Sequence, residues 1–372
     1  MAESELLYRI GLTLLEGVGD VNAKNLLAYC GSATEIFKAP KKQLIKIPGI
    51  GEILANSILS QKHVLKEAEK ELRFVEDNHI ETLFFTDENY PHRLKFCSDS
   101  PVLLYYKGCA DLNAEKIVAV VGTRQPTEYG KQQTEKLIND LQGSGVLVVS
   151  GLAYGIDVLA HKKALENKLD TVGVVAHGLD RIYPQVHENI AMKMQKQGGI
   201  LTDFKSGTNP DAVNFPKRNR IVAGMCDALI VMESKRDGGS LITATIANSY
   251  NKDVFAFPGR CNDPMSEGCN GFIKSNKAAL MESAADLFYI MGWEEEKQEK
   301  KKATPQIPLL LNLSEEEQKI IDAFKNKKQL HSDEISYATG FTVSKVAALL
   351  LQLEFSNAVR SLPGKMYSLV GL

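Results

Sequence analysis

Three cations and an aromatic ring lie together in the stretch NFPKRNRIVAG, residues 214–224. Lys217, Arg218 and Arg220 fall within four residues of one another, just after Phe215. Cations bind phosphate oxygens and nucleobases stack on aromatic rings, so this combination suits a sugar–phosphate chain. The stretch leads into a predicted helix, and cations at a helix N-terminus oppose its dipole. An anionic ligand or an acidic side chain must compensate, and we expect a ligand.

A second stretch, VVGTRQPTEYG at residues 120–130, combines glycine, a hydroxyl and arginine. Gly122 allows an anion to approach closely, Thr123 adds a hydroxyl, and the planar guanidinium of Arg124 suits phosphate. The spacing is not GxGxxG, so the fingerprint of a dinucleotide-binding loop is absent. A tight turn between a strand and a helix would explain Gly122, but it would not explain Arg124.

A third stretch, SGLAYGIDVLAH at residues 150–161, opens another predicted helix. Gly151 and Gly155 leave backbone amides free at the helix start, as in a phosphate cradle. Asp157 and His161 are four residues apart on that helix and could hydrogen-bond to each other. No third ligand or nucleophile accompanies them, so we interpret them as a structural pair that pins the loop.

Two further loops follow predicted strands. AHGLDRIYP, residues 176–184, carries Arg181 at a strand tip. SKRDGGSLITA, residues 234–244, places Gly239 and Ser240 at another helix start. Because all of these loops follow predicted strands, each adds backbone amides or a cation to the same edge of the predicted sheet, at the carboxyl ends of the strands.

No set of residues typical of catalysis accompanies these loops. GxSxG, paired carboxylates and the Walker sequence GxxxxGK[ST] are absent from the sequence. The six cysteines are scattered without a CxxC pair, which indicates reduced thiols in a cytoplasm rather than disulfides or a zinc ribbon. We therefore predict a protein that grips its ligand, with no catalytic residue, no metal and no cofactor.

The elements that position these loops follow an α/β pattern. Short apolar runs rich in β-branched residues alternate with helical stretches, which predicts a Rossmann-like, doubly wound parallel sheet with its ligand at the carboxyl ends of the strands. The predicted strands are 117–121, 146–150, 171–176, 200–203, 228–232 and 254–257, and the predicted helices are 131–142, 156–167, 189–196 and 240–251.

The N-terminal region, residues 1–75, shows a helix–hairpin–helix pattern twice, as in a SAM-like domain. LLEGVGDVNAKNLL (14–27) and LIKIPGIGEILANSI (44–58) share the form Gly-apolar-Gly followed by a helical run. Such hairpins expose amides that could hold a phosphate, or they merely turn the chain and pack helices. Both interpretations remain open at this point.

The C-terminal region begins after a charged linker at residues 294–308. Residues 309–372 predict a winged-helix-like domain: a helix capped by Ser314, a helix–turn–helix and a short hairpin. The second helix of the pair, 343–355, carries few side chains that read bases. We therefore expect this domain to contact protein rather than DNA bases.

The length of the chain is consistent with three regions, and its net charge limits the kind of polyanion site it can have. The 372 residues carry 44 Lys and Arg against 46 Asp and Glu, a formal charge of -2, so any polyanion site must be a local patch. The sheet domain is predicted to occupy residues 76–293. No apolar run reaches the roughly 18 residues of a membrane span. The N-terminus lacks the basic segment of a secretory signal, so we expect a cytoplasmic protein.

Six of these segments, in this order, resemble one family, the DNA-processing protein A (DprA, or Smf) family. They are VAVVGTRQPTEYG, VVSGLAYGIDVLAH, VVAHGLDRIYP, FPKRNRIVAG, GGSLITA and VFAFPG, and they cover about residues 118–259. The flanking regions match the family's three-part layout. His177 and the pair Thr202-Asp203 depart from the family's usual residues.

The resemblance implies a non-enzymatic protein that binds and protects single-stranded DNA during natural transformation. It also implies loading of the RecA recombinase onto that DNA, and a homodimer formed through the Rossmann-like domain. Carried over by motif, together with the loop at Gly239, the DNA-binding surface comprises Gly122, Thr123, Arg124, Ser150, Gly151, Phe215, Lys217, Arg218, Asn219, Arg220, Gly239 and Ser240.

Two alternatives remain. The first is a Rossmann-like nucleoside-monophosphate phosphoribohydrolase of the lysine-decarboxylase-like kind, which shares the fold and the glycine-rich loops. Its catalytic PGGxGTxxE pattern is missing, and the comparable stretch here is DGGSLITAT. The second is an interaction scaffold that uses the winged-helix-like domain for docking.

Overall fold

The computed structural model describes residues 2–61, 63–293, 313–324, 327, 329–356, 358–362 and 364–369. They divide into two compact units, Met1–Glu282 and Ser283–Leu372. The first unit holds both the N-terminal helices and the large sheet, so those helices pack with the sheet rather than forming a unit of their own. The predicted linker at residues 294–308 lies outside the described residues.

The first unit opens with helices joined by two glycine hairpins. Gly17 (φ +81°) and Gly49 (φ +83°) adopt left-handed backbone angles that side chains disfavour. Gly19 and Gly51 precede the helices that follow, as the repeated pattern predicts. The helices are α1 (Ala2–Leu14), α2 (Asp20–Cys30), α3 (Ala33–Lys38), α4 (Lys41–Leu44), α5 (Glu52–Ser60) and α6 (Val64–Asp77).

A sheet of nine strands forms the centre of the first unit, in the order β1-β2-β6-β5-β4-β3-β7-β8-β9. The strands from β6 to β9 in this order are parallel, whereas β1 and β2 join one side antiparallel. The strands are β1 (Glu81–Phe84), β2 (Leu103–Gly108), β3 (Lys116–Val121), β4 (Val146–Ser150), β5 (Thr171–Val174), β6 (Gly198–Thr202), β7 (Ala228–Val231), β8 (Asp253–Ala256) and β9 (Ala279–Leu280).

Helices cover both faces of this sheet, which confirms the doubly wound fold. The chain runs from β3 to β6 in one direction and then returns to place β7 on the other side of β3. Right-handed crossovers put the helices of the two halves on opposite faces, and the reversal opens a crevice at the strand ends. The helices are α7 (His92–Lys95), α8 (Glu128–Asp140), α9 (Ile156–Glu166), α10 (Glu188–Gln197), α11 (Asn214–Met225), α12 (Gly239–Ser249) and α13 (Glu267–Lys274).

The second unit contains the predicted winged-helix elements. Ser314 caps its helix in a capping box with Glu317, and Gly340 (φ +70°) makes the turn between the paired helices. The three strands pair antiparallel in the order β10-β12-β11. The elements are α14 (Ala284–Met291), α15 (Glu315–Ala323), β10 (Gln329–His331), α16 (Ser332–Thr339), α17 (Val343–Phe355), β11 (Val359–Leu362) and β12 (Met366–Leu369).

Candidate nucleic-acid interface

One cation and one aromatic ring from different elements meet at the crevice. Arg124 follows β3, and its guanidinium carbon lies 5.5 Å from the centre of the Phe215 ring. Phe215 is in the first turn of α11, which begins at Asn214. Arg124 is exposed and, within the part of the chain that the structure describes, forms no ion pair. Its charge is therefore open to an anion.

Tyr183 extends this surface, although the sequence analysis did not single it out. Its ring centre is 6.3 Å from that of Phe215, with 51° between the planes. The side chain is 46% exposed. The signal for it in the sequence is an aromatic residue in a loop that follows a predicted strand, AHGLDRIYP.

Lys217 lies on the other flank of the same helical turn. It is two residues beyond Phe215, which is about 200° around an α-helix axis. The side chain is exposed and lines a cavity of about 830 Å³ beside Gly19 and Asp20 of the first hairpin. Among the described residues Lys217 belongs to no ion pair. Its charge, like that of Arg124, is therefore open to an anion.

Arg220 is already neutralised. Its Nη2 atom lies 2.9 Å from Asp20 and 2.8 Å from Asp203, and Nη1 donates to the carbonyl of Asp99. Burial opposes the charged form of Arg220, but the two carboxylates outweigh that cost and raise its pKa. The side chain therefore ties α11 to the first hairpin and to the end of β6.

Arg218 lies beneath the surface, where only 5% of the residue is exposed. Its Nη1 donates to the carbonyl oxygens of Gly151, at 2.5 Å, and Val174, and its Nε donates to Asn219 Oδ1 at 3.1 Å. Burial lowers the pKa of Arg218 to about 10, against the favourable charge of Asp157. This guanidinium holds the ends of β4 and β5 together.

The acids around Arg218 and Arg220 correct one expectation from the sequence. Compensation for the cations of α11 was expected from a ligand, yet carboxylates supply it for two of the three. The helix-dipole argument therefore gives no support for a ligand at these two arginines. It still applies to Lys217.

The loop amides are also less open than the glycine pattern suggested. The N–H of Gly151 donates to Asp157 Oδ2 at 3.1 Å, and that of Thr123 donates to the carbonyl of Glu233 at 2.8 Å. The predicted phosphate cradle is thus occupied by protein at Gly151, and the amide of Thr123 in the neighbouring loop is likewise bonded internally. Burial raises the pKa of Asp157, while Arg218 opposes that shift.

The predicted Asp157–His161 pair takes a different form. Asp157 pins the loop because its Oδ2 accepts from the N–H of Gly151, and its charge favours the charged form of Arg218. His161 is fully buried, and its Nδ1 lies 2.6 Å from Thr171 Oγ1. The i,i+4 spacing brought the two side chains to one helix face, but each found a nearer partner on a strand or loop.

Two predicted hydroxyl contacts are internal. Ser150 donates to the carbonyl of Val120 at 2.6 Å and is fully buried. Ser240 donates to Ser234 at 2.9 Å and is 9% exposed. Gly239, in contrast, is exposed at the start of α12. Both serines therefore shape their loops from below.

Gly122 and Gly155 are explained by close approach of the two loops. A Cβ on Gly122 would lie 2.5 Å from the side chain of Ile156, which agrees with a tight strand–helix turn. Gly155 has φ +79°, and its Cβ would lie 2.3 Å from the carbonyl oxygen of Thr123. These glycines bring the loop that carries Arg124 against the start of α9.

The described residues hold no candidate metal site, no disulfide and no membrane-spanning helix. Among the residues described, no three or more His, Cys, Asp or Glu side chains are grouped to hold a metal ion. The six cysteines, all within the described ranges, are unpaired. Within those same ranges no helix has the length and apolar character needed to cross a membrane.

Comparison with known proteins gives two family matches. The sequence profile of DNA recombination-mediator protein A matches residues 81–292, and that of the DprA winged helix domain matches residues 301–365. Protein Smf of Synechocystis sp. is 31% identical over 400 residues, covering 99% of this chain and 99% of that protein. DNA processing protein DprA of Streptococcus pneumoniae is 41% identical over 201 residues, covering 54% of this chain and 71% of that protein.

Two solved structures are similar to this fold. The crystal structure of DNA processing protein A from Streptococcus pneumoniae has a TM-score of 0.67 at 31% identity, covering 76% of this chain and 97% of that one. A structure of DNA processing protein A from Helicobacter pylori, described for its single-stranded DNA binding mode, has a TM-score of 0.52 at 31% identity. It covers 57% of this chain and 94% of that one.

Proposed function

Because the chain belongs to the DNA recombination-mediator protein A family, we propose that it binds single-stranded DNA without sequence preference and acts as a non-enzymatic protein. The observation that carries this proposal is the contact between Arg124 and Phe215. A guanidinium for phosphate lies beside an aromatic cluster, Phe215 with Tyr183 next to it, on which a base can stack, at the carboxyl ends of the parallel strands. That pairing serves every nucleotide alike, since each has a phosphate and a π-face.

The DNA strand runs over the first turn of α11. Arg124 and Phe215 lie on one flank of that turn, and Lys217 lies on the other. Both cations are exposed and, in the described ranges, belong to no ion pair, so each is open to a phosphate without breaking an internal bond. With the formal charge of the chain at -2, the interaction is carried by this local patch.

The remaining residues of the predicted surface support it from within. Buried hydrogen bonds fix the carboxyl ends of the β-strands of the sheet, and they involve Arg218, Ser150 and Gly151. Arg220 fastens α11 to the first hairpin. Asn219 accepts from Arg218. We assign these residues to positioning, and we keep Gly122, Thr123 and the exposed Gly239 at the edge of the DNA path.

Membership of this family supports a role in DNA processing, and we propose the following biological role. The protein protects incoming single-stranded DNA in the cytoplasm during natural transformation and loads the RecA recombinase onto it, as a homodimer formed through the Rossmann-like domain. Accelerated RecA filament formation on single-stranded DNA coated with single-strand-binding protein would support the loading role, and an unchanged rate would contradict it. Light scattering on the purified protein tests the dimer.

The phosphoribohydrolase alternative gains no support from α12. The stretch that would carry its catalytic pattern places Ser240 in a buried hydrogen bond with Ser234. Incubation with nucleoside monophosphates, with chromatography for the free base, tests this alternative, and release of base would favour it.

Binding is tested by fluorescence anisotropy with labelled oligonucleotides of scrambled sequence. We expect single strands of equal length to bind alike whatever their sequence, and duplexes of the same length to bind more weakly because their bases are not available for stacking. Tight binding of duplex alone, or of one sequence alone, would contradict the proposal. Lys136→Ala, which removes an exposed lysine of α8 outside the surface, is the matched control for surface variants.

A further inference from the structure

Tyr183 is an exposed aromatic side chain on a well-held loop. Its backbone N–H donates to His177 Nε2 at 3.1 Å. His177 is 1% exposed, and its Nδ1 lies 2.9 Å from the carbonyl oxygen of Gly178. The carbonyl of His177 in turn accepts from Thr202 Oγ1 at 3.0 Å. Buried hydrogen bonds therefore fix the backbone that carries the Tyr183 ring, and such a fixed backbone is typical of a preorganised contact residue.

Tyr183 is also the more open of the two rings. It is 46% exposed, whereas Phe215 is only partly exposed and already contacts the Arg124 guanidinium. The 6.3 Å between the ring centres lies within the range of favourable aromatic pairs. Phe215 thus contacts both Arg124 and Tyr183, and Tyr183 is the more exposed of the two rings.

We infer that Tyr183, rather than Phe215, supplies the face on which a nucleobase stacks. This inference rests on the proposed function and adds a residue to it. The Arg124 guanidinium carbon is 5.5 Å and the Tyr183 ring centre 6.3 Å from the centre of the Phe215 ring, so Arg124 and Tyr183 are at most about 12 Å apart and can contact neighbouring nucleotides of one DNA strand. Stacking on a ring is tolerant of sequence, so this contact leaves all four bases acceptable.

A stacking contact has a signature that separates it from a phosphate contact. Removal of the ring weakens binding without releasing fewer counterions, so the dependence of affinity on salt stays the same. Loss of one stacked base corresponds to a reduction of roughly 5- to 150-fold in affinity. We expect Tyr183→Leu to fall in this range and Tyr183→Phe to bind like the wild type.

The test measures the affinity of the full-length protein for a single-stranded oligonucleotide at several salt concentrations. The variants are Tyr183→Leu, Tyr183→Phe and Phe215→Leu, with Tyr289→Leu as control because Tyr289 is a 75% exposed aromatic residue of α14. An oligonucleotide that contains 2-aminopurine reports stacking by fluorescence quenching. We expect Tyr183→Leu to relieve the quenching and Tyr183→Phe to retain it.

The outcomes distinguish this inference from the function on which it rests. Wild-type affinity and quenching in Tyr183→Leu, with loss of both in Phe215→Leu, would overturn the inference and leave single-stranded DNA binding intact. A flatter salt dependence in Tyr183→Leu would also overturn it, because that result indicates a lost phosphate contact. If the wild type itself does not bind single strands, the proposed function fails first and the inference with it.

Discussion

The carboxylate of Asp20 lies 2.9 Å from the guanidinium of Arg220, and this ion pair joins the first hairpin to α11. Both side chains are mostly covered, at 26% and 15% exposure, and Asp20 also accepts from the N–H of Val102 at 3.0 Å. The position of Arg220 in the sequence suggested a phosphate ligand, but its side chain connects the N-terminal helices to the sheet.

Asp20→Asn is expected to destabilise the protein by about 1–2 kcal/mol, because it removes one partner of a largely covered ion pair while Asp203 remains. Chemical denaturation measures this change. Glu35→Gln, which breaks the exposed pair with Lys38, is the control and should cost less than about 0.5 kcal/mol. Equal effects of the two variants would show that the Asp20 pair contributes no more than a surface pair.

Arg218→Met is expected to destabilise the protein by about 3–5 kcal/mol, because the carbonyls of Gly151 and Val174 lose their buried donor and Asp157 loses the favourable charge of the guanidinium. The affinity for single-stranded DNA should fall as well, because the loop at Gly151 loses the hydrogen bond from Arg218 to the Gly151 carbonyl. The double variant Arg218→Met with Asp157→Asn should recover part of the stability, as it removes the unpaired charge. Denaturation and anisotropy measure both effects. A stable Arg218→Met protein with reduced affinity would instead indicate direct contact with DNA.

Gly155→Ala tests the close approach of two loops. It should cost at least about 2 kcal/mol, from a left-handed backbone angle and from overlap with the carbonyl of Thr123. Gly143→Ala is the matched control, because Gly143 has a similar φ of +76° with open space around its Cβ position. Its cost should be about 1 kcal/mol. Equal thermal stabilities of the two variants would contradict the overlap.

Stability should fall in acid through His161. Burial lowers the pKa of this side chain to about 3, whereas an unfolded histidine titrates near 6.5. The unfolded state therefore gains protons first, so the histidine's contribution is complete above about pH 6.5 and is lost progressively as pH falls toward 3. At pH 5 the loss is about 2 kcal/mol.

Unfolding free energies of the wild type and His161→Gln between pH 7.5 and pH 5 measure this contribution as a difference in slope. The comparison is needed because burial raises the pKa of Asp157 and of Asp203, which works in the opposite direction. We expect a shallower decline in the variant. Parallel declines would mean that His161 gains its proton alike in both states.

Much of the fold could be predicted because its signals are local. The strand Val146–Ser150 was predicted with the observed bounds, since a continuous apolar run between turn residues admits few alternatives. The helix predicted to follow the cations of residues 217–220 begins earlier, at Asn214, because proline is tolerated in the first turn of a helix. The antiparallel strands β1 and β2 escaped because they lie outside the alternating α/β pattern.

The site was less accessible to prediction because its pairings are distant in sequence. Arg218 and Arg220 resemble Lys217 when only residues adjacent in the sequence are considered. Their acidic partners, Asp157 and Asp20, are distant in the sequence and cannot be identified from it. Burial decides which cations are open to a ligand, and burial depends on the assembled fold. Arg124 could be identified because it lies in the short loop just after a predicted strand, 117–121.

The central claim is that Arg124 and Lys217 bind phosphates of one strand that crosses α11. The most direct measurement is the salt dependence of single-stranded DNA affinity for Arg124→Ala, Lys217→Ala and the control Lys136→Ala. Each phosphate contact contributes about 0.7 to the slope of log affinity against log salt. We predict that each site variant loses about that amount on every sequence while the control keeps the wild-type slope. Wild-type affinity and slope in either site variant would contradict the claim.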